Sequence, residues 1–367
     1  MAATSLTTRA AASTLPERRP DGIGAHVKNI GTWTVRICVA GAALGVAAVV
    51  AGAAYERIGQ GRAARDFPPP GRMVDVGGRK IQLDCRGTGS PTVVLEAGLS
   101  IDGALSWSSV HDLIARHTHT CAYSRAGVMW SDPSDSAPGF ERVARDLRAA
   151  LANAGEARGP LVLVGQSAGA LYAMGYTKYF GADVAGLVLV DPSHPEQADR
   201  VAGFMKETRS PFSRIAVALA WTGVLRAAAP RLVPQAPYHS AHDIQAIRAY
   251  APVSFRTQLA EGDALDRTIT EANGFRALGD RPLVVLTAMA PYTQAELGDM
   301  KITPEQGTQV QAIWEQMHEE EASWSSNSRH VVLPNAGHNI QFDDPGAVVD
   351  AVLSVVDSVR ARNAGQR

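Results

Sequence analysis

The stretch Gly165-Gln166-Ser167-Ala168-Gly169 directly follows the apolar run Leu161-Val162-Leu163-Val164 and holds the side chain best placed to do chemistry. A β-branched run that stops at Gly-x-Ser-x-Gly and resumes with helical periodicity predicts a strand, a tight turn and a helix. Such a turn strains the backbone of its central residue and lifts the side chain clear of the sheet edge. Glycines flank it because strand and helix crowd together there and leave no room for a Cβ. A hydroxyl displayed in this way can meet a base on one side and a substrate carbonyl on the other.

The elements that must position it alternate along the C-terminal three quarters of the chain. Residues 72–76 and 80–85 read as a hairpin turned at Gly77-Gly78. Strands follow at 92–96, 118–123, 161–164, 186–190, 282–287 and 330–333. Helices are predicted around 107–116, 140–154, 170–180, 304–322 and 347–359. Short apolar runs alternating with helices imply a mostly parallel sheet covered on both faces. Right-handed crossovers then gather the loops that follow the strands at one edge, where sites form.

From residue 72 to 362 the chain resembles the α/β-hydrolase family. The resemblance is carried by Leu95-Glu96-Ala97-Gly98-Leu99, Tyr123-Ser124-Arg125-Ala126-Gly127, Gly165-Gln166-Ser167-Ala168-Gly169, Leu189-Val190-Asp191-Pro192 and Asn335-Ala336-Gly337-His338, in that order. Many relatives have His-Gly where this chain has Ala97-Gly98, and Tyr-Asp-Arg where it has Tyr123-Ser124-Arg125. The implied fold is α/β: an eight-stranded, mostly parallel sheet with helices on both faces and a helical cap. The hydrolase domain is expected at 72–195 and 281–367, with the cap inserted at 196–280.

Ser167 as a nucleophile needs a base within hydrogen-bond reach and an acid that fixes the base's tautomer. Among ten histidines, His338 is the choice, because it follows a β-branched strand in a short Ala-Gly-His-Asn turn. The commonest family arrangement places the acid after the strand at 282–287, where the first carboxylates are Glu296 and Asp299. Some relatives place it after the preceding strand, at Asp191. Asp191 is the first choice and Asp299 the alternative. The family geometry also implies oxyanion donors from the backbone N–H groups of Ala168 and Leu99. A serine at the elbow implies an acyl-enzyme, in contrast to the aspartate of relatives that open epoxides or cleave carbon–halogen bonds. Within the cap, Phe212, Ile215, Val217, Leu219, Trp221 and Leu225 are expected to supply apolar area to the substrate pocket or to pack the cap onto the body.

The N-terminal region carries different information. Residues 37–54 hold no charge, and at about 1.5 Å per residue they span roughly 27 Å, near the thickness of a bilayer core. Trp33 and Tyr55 bracket the run at interfacial positions. Arg9, Arg18, Arg19, Lys28 and Arg36 precede it, against Glu17 and Asp21, so the positive-inside rule keeps the N-terminus cytoplasmic and exports the hydrolase domain. The expected order is a disordered tail at 1–32, a transmembrane helix at 33–55 and a partly extended linker at 56–71 containing Pro68-Pro69-Pro70. A cleaved signal ending near Ala51-Gly52-Ala53 is the alternative.

A net charge of −1 gives no reason to expect nucleic-acid binding. No cluster has convincing zinc spacing, so no metal and no cofactor is expected. The expected partners are a small, apolar acyl substrate and the membrane. Glu319-Glu320-Glu321 reads as a solvated helix face. The family's strand order sets Cys85 beside Cys121, so either a cross-strand disulfide or two buried thiols is possible. Functionally, a membrane-anchored serine hydrolase of carboxylic esters explains the motifs together. An acyltransferase using the same triad, or a non-catalytic binding protein of the same fold, is the alternative.

Overall fold

In the computed structural model the described residues are 23–135, 138–157, 159–204 and 211–365, with backbone alone at 23–32 and 211–212. The elements run α1 (Ile23–Asp66), β1 (Arg72–Asp75), β2 (Lys80–Arg86), β3 (Thr92–Glu96), α2 (His111–Ala115), β4 (Thr120–Ser124), α3 (Phe140–Asn153), β5 (Leu161–Gln166), α4 (Ala168–Phe180) and β6 (Val184–Val190). There follow α5 (Gln197–Val201), α6 (Pro211–Ala218), α7 (Val224–Leu232), α8 (Ala241–Ala272), β7 (Leu283–Ala288), α9 (Gln294–Met300), α10 (Pro304–Ala322), β8 (Ser328–Leu333), α11 (Ile340–Asp343) and α12 (Pro345–Gly365). The sheet order is β1-β2-β4-β3-β5-β6-β7-β8. β2 pairs antiparallel with β1 and β4, and the pairings from β4 through β8 are parallel.

Strand periodicity builds two cores from one sheet, because successive side chains point to opposite faces. Leu161 and Leu163 of β5 pack with Phe140, Leu147, Leu171 and Met174 of α3 and α4. Val162 and Val164 of the same strand pack on the other face with Trp107, Ile114, Val352 and Val355. Each such side chain contributes roughly 1.5–3 kcal/mol on burial. Cys85 and Cys121 are direct register partners in the antiparallel pair β2–β4, and a disulfide joins them.

The helical insertion lies between β6 and β7, as expected, but its main element is longer than the sequence suggests. Helix α8 starts at Ser240, whose side chain accepts from Asp243 N–H, and it continues through Pro252 to Ala272. The sequence alone predicts this helix over 241–250, because Pro252 lacks an N–H and interrupts the periodicity.

The linker also departs from expectation. Residues 57–66 are helical, as the continuation of α1, and only Phe67–Gly71 lies outside regular helix and strand. The segment holds three Arg and two Ala, which favour helix, against Gly59 and Gly61, and no proline stops it before Pro68. The expected disorder of residues 1–32 lies outside the described residues up to residue 22; from Ile23 the chain is helical. The chain forms two units, Met1–Ala51 and Gly52–Arg367. Within the second, Glu56 accepts from both Nε and Nη2 of Arg226 on α7, each at 2.9 Å, and Arg226 Nη1 donates to Ala249 O on α8. Phe67 O accepts from Trp130 Nε1 and from the Tyr250 hydroxyl. The helix end is therefore fastened to the cap.

Both side chains of the Glu56–Arg226 pair are at most 10% exposed, so removing one partner strands a buried charge. Glu56→Ala is expected to cost about 3 kcal/mol, while Glu56→Leu combined with Arg226→Met should recover most of it. Urea unfolding of the full chain in detergent micelles checks both. A loss for Glu56→Ala no larger than that of an exposed pair, about 1 kcal/mol or less, would mean that the cap does not depend on this contact.

Candidate active site

The turn between β5 and α4 has the geometry its sequence predicts. Ser167 adopts φ 53° and ψ −126°, a region that costs about 1–3 kcal/mol for a residue with a Cβ. Three backbone hydrogen bonds hold it there: Ser167 N–H to Val190 O, and Ser193 N–H and Ala170 N–H to Ser167 O. The flanking glycines are required by contact. A Cβ on Gly165 would lie 2.6 Å from Gly169 O, and one on Gly169 would lie 2.4 Å from Glu96 O and 2.6 Å from Ala97 O. Helix α4 begins at Ala168, whose N–H is among the first four of the helix and has no intrahelical partner.

Two of the other expected residues meet directly. His338, in the turn after β8, shares a 2.6 Å hydrogen bond between its Nδ1 and Asp191 Oδ2. The carboxylate only accepts, so Nδ1 carries the proton and Nε2 keeps its lone pair. Asp191 ends β6 with φ 43°, its N–H donates to Leu286 O, and its Oδ1 accepts from Ala288 N–H at 2.9 Å. Both carboxylate oxygens are thus fixed. The alternative acid, Asp299, lies exposed on α9, and Glu296 is engaged in that helix's capping box with Thr293.

His338 keeps 56% of its side-chain surface open, yet it is crowded enough that desolvation is the largest influence on its pKa. Desolvation pulls the pKa down, but the hydrogen bond and charge of Asp191 outweigh it, and the imidazole titrates above its ordinary 6.5. Ser167 and His338 line the same cavity, about 660 Å³, together with Leu99, Ala168 and Asp191. Both line this space, but among the described residues the Ser167 hydroxyl makes no hydrogen bond to His338. His338 Nε2 lies instead 3.3 Å from Gln166 Nε2, which also donates to His338 O at 3.2 Å. Gln166 therefore fills the ring position expected for the serine.

The loop after β3 lies against the elbow. A Cβ on Gly98 would meet Gln166 Oε1 at 2.3 Å and Ser167 Cβ at 3.1 Å, so glycine lets this backbone approach the serine. Arg125 holds the loop from behind. Its Nη1 donates to Ala97 O and to Glu96 Oε1, and its Nη2 donates to Gly98 O at 2.6 Å. Its Nε and Nη2 also reach the two oxygens of Glu261 on α8, at 2.9 and 2.8 Å. All three side chains are at most 5% exposed. Burial pushes the Glu96 carboxyl up to about 7 against the pull of Arg125 and the Tyr123 hydroxyl. Gln258, also on α8, donates to Leu99 O at 3.2 Å.

Several features escape sequence reasoning. His318 on α10 is buried behind Asp191: its Nε2–H donates to Pro192 O, and its Nδ1 accepts from the Thr287 hydroxyl, both at 2.9 Å. Desolvation lowers its pKa, so it stands neutral beside the carboxylate. Glu321 is 2% exposed, not solvated as its charge run implies; desolvation raises its pKa well above normal. The buried face of α10 packs against the sheet and overrides the charge pattern. Among the described residues, none of the apolar cap side chains offered for the pocket lines the cavity. Leu225 is buried in the cap, whereas Ile215, Leu219 and Trp221 are 44–57% exposed; Val217 is partly buried, and the Phe212 side chain lies outside the described residues. Apolar lining comes instead from Leu265 of α8 and from Pro291, Tyr292, Met300 and Trp314. One group of potential metal ligands, Cys85, His119 and Cys121, lies together, but its two sulfurs are bonded to each other.

The sequence matches the profile of the alpha/beta hydrolase family over residues 31–351. A search of curated proteins finds no match. Solved structures similar in fold include a thermophilic esterase from Thermogutta terrifontis, 20% identical, covering 78% of this chain and 98% of its own with a TM-score of 0.53. A serine hydrolase involved in carbazole degradation is 16% identical over 78% and 98%, with a TM-score of 0.53. Est816, described as an N-acyl homoserine lactone degrading enzyme, is 16% identical over 77% and 99%, with a TM-score of 0.50. With the profile matched along most of its length, and with the sheet order and strand–turn–helix elbow described above, the chain belongs to the alpha/beta hydrolase family.

Proposed function

We propose that this protein is a serine hydrolase that cleaves carboxylic esters through an acyl-enzyme. The observation that carries the reading is the 2.6 Å bond from His338 Nδ1 to Asp191, which leaves Nε2 unprotonated on a residue that lines the same cavity as Ser167. Asp191 fixes the tautomer and stabilises the imidazolium that forms during turnover. His338 Nε2 takes the Ser167 proton as Oγ attacks the ester carbonyl carbon. This step requires the serine hydroxyl to replace the Gln166 amide at Nε2. The N–H groups of Ala168 and Leu99 receive the developing oxyanion, each worth about 3 kcal/mol. Collapse of the tetrahedral intermediate expels the alcohol, which takes the proton from His338; water then repeats the sequence and releases the acid. The cavity's apolar walls at Leu265, Tyr292, Met300 and Trp314 suit a hydrophobic acyl chain. Their soft fit to an unbranched chain is testable with p-nitrophenyl esters of increasing length.

The reading extends to location. Helix α1 holds one stretch, within 33–66, long and apolar enough to cross a membrane. The basic residues before it favour a cytoplasmic N-terminus with the hydrolase domain outside. The Cys85–Cys121 disulfide supports an oxidising compartment.

Wild type should be labelled by a fluorophosphonate probe, and Ser167→Ala should not. A folded wild type that never labels would favour the binding-protein reading. Hydrolysis with no acyl transfer to added alcohols would separate the esterase from an acyltransferase.

The pH profile follows from the charge on His338. The base must be neutral, and its pKa is raised, so the acid limb of kcat/KM should have its midpoint above 6.5. Asp191→Asn removes the group that favours the imidazolium and leaves desolvation, so the midpoint should fall below that of wild type, with kcat reduced about 10⁴-fold. An unchanged midpoint would exclude Asp191 as the partner, and a larger loss for Asp299→Asn would move the role there.

A further inference from the structure

We infer that the face of the cap formed by Ile215, Leu219, Trp221 and Val224 is a membrane-docking surface whose partner is the bilayer interface; this rests on the anchoring reading above. The four side chains fall within ten residues and are each 44–57% exposed. They belong to an eleven-residue run, 215–225, without a charge. Soluble surfaces scatter apolar residues singly, whereas a contiguous apolar face marks a partner or a membrane.

Its position selects the membrane. The turn at 220–223 sits directly on the helical turn 52–55. A Cβ on Gly52 would lie 2.3 Å from Thr222 O, and one on Gly223 would lie 2.7 Å from Tyr55 Cδ1. The Glu56–Arg226 pair locks the next turn of the helix to α7. Gly52–Ala54 closes the uncharged run of the helix; Tyr55, which abuts Gly223, and Ile58, about one helical turn on, are themselves 48% and 56% exposed. The end of an apolar span lies at the bilayer surface, so a turn held against it lies there too. Tryptophan and tyrosine are the residues that settle in that zone. Beyond it, the exposed Arg57 and Arg62 are suited to lipid phosphates.

The test uses the full chain with Cys38→Ala, leaving Cys85 and Cys121 in their disulfide. Trp221→Cys, and separately Leu219→Cys, is labelled with an NBD fluorophore; Asp357→Cys, 75% exposed at its side chain on α12, serves as the reference. The proteins are reconstituted in phosphatidylcholine–phosphatidylglycerol vesicles with and without shallow spin-labelled lipid. Docking predicts blue-shifted emission at 219 and 221 that the spin-labelled lipid quenches, with no quenching at 357. If the chain resists alkaline carbonate extraction but the labels at 219 and 221 are not quenched, anchoring stands and the docking surface falls. A blue shift without lipid quenching would assign the face to a second copy or to another segment of the chain, and would overturn it equally. Extraction of the chain by carbonate would remove the anchor and this inference together.

Discussion

Strand β3, the loop that follows it and the start of α4 come so close that no side chain fits between them. Gly169 lies where a Cβ would enter the carbonyls of Glu96 and Ala97, and Gly98 lies where one would enter Gln166 and Ser167. This approach presses Ser167 into its strained conformation and brings the β3 loop beside its Cβ. Neither the serine's exposure nor the placing of the Ala168 and Leu99 backbones follows without it. The strain is held by hydrogen bonds from β6 and from the loop after it, so the neighbouring parallel strand helps to hold the turn. The same strand ends in Asp191, and the residue that sets the histidine's tautomer is therefore fixed by the same frame.

Arg125 extends this frame to the cap. One guanidinium binds two carbonyls of the β3 loop, the carboxylate that ends β3 and a carboxylate on α8. Lysine offers a point charge on a flexible stem and does not reproduce this planar fork. Burying a cation is costly unless every donor is used, and here the donors are spent on the segment that lies against Ser167 and on Glu261. A shift of α8 would therefore be felt at the β3 loop through Glu261 and through Gln258, which holds Leu99 O.

The sequence makes the local features legible and leaves the long-range ones hidden. The elbow, the histidine turn and the alternation of strands with helices each depend on residues within a short window, and they appear where expected. The sequence leaves the acid open between two loops because both strands end at one edge; the hydrogen bond that His338 makes to Asp191 is a long-range contact with no local mark. Arg125 could have been suspected from its place after β4, but its partner Glu261 lies 136 residues away. Gln166 is an x position of Gly-x-Ser-x-Gly and carries no local mark, yet its side chain reaches both the β3 loop and His338. The buried His318 and Glu321 carry no local mark, since their environment is made by the packing of α10. The cap's apolar residues misled because periodicity reports that a helix has an apolar side and not what covers it.

The cap is held by a buried apolar cluster, in which Ala229, Val233, Ala246, Ile247 and Ala251 meet Val128 and Met129, and by two ionic attachments nearly free of solvent, Glu261 to Arg125 on one side and Arg226 to Glu56 on another. Its outward face holds tryptophan, leucine, isoleucine and valine. In water this arrangement is costly twice over, since buried ions lose hydration and exposed apolar area gains nothing. A lipid interface removes the second cost, because that area is then withdrawn from water. The ionic contacts fix orientation more than they stabilise, as paired charges with directional hydrogen bonds do elsewhere. Two buried salt bridges to different parts of the fold, one to Arg125 and one to Glu56, give the cap a defined orientation.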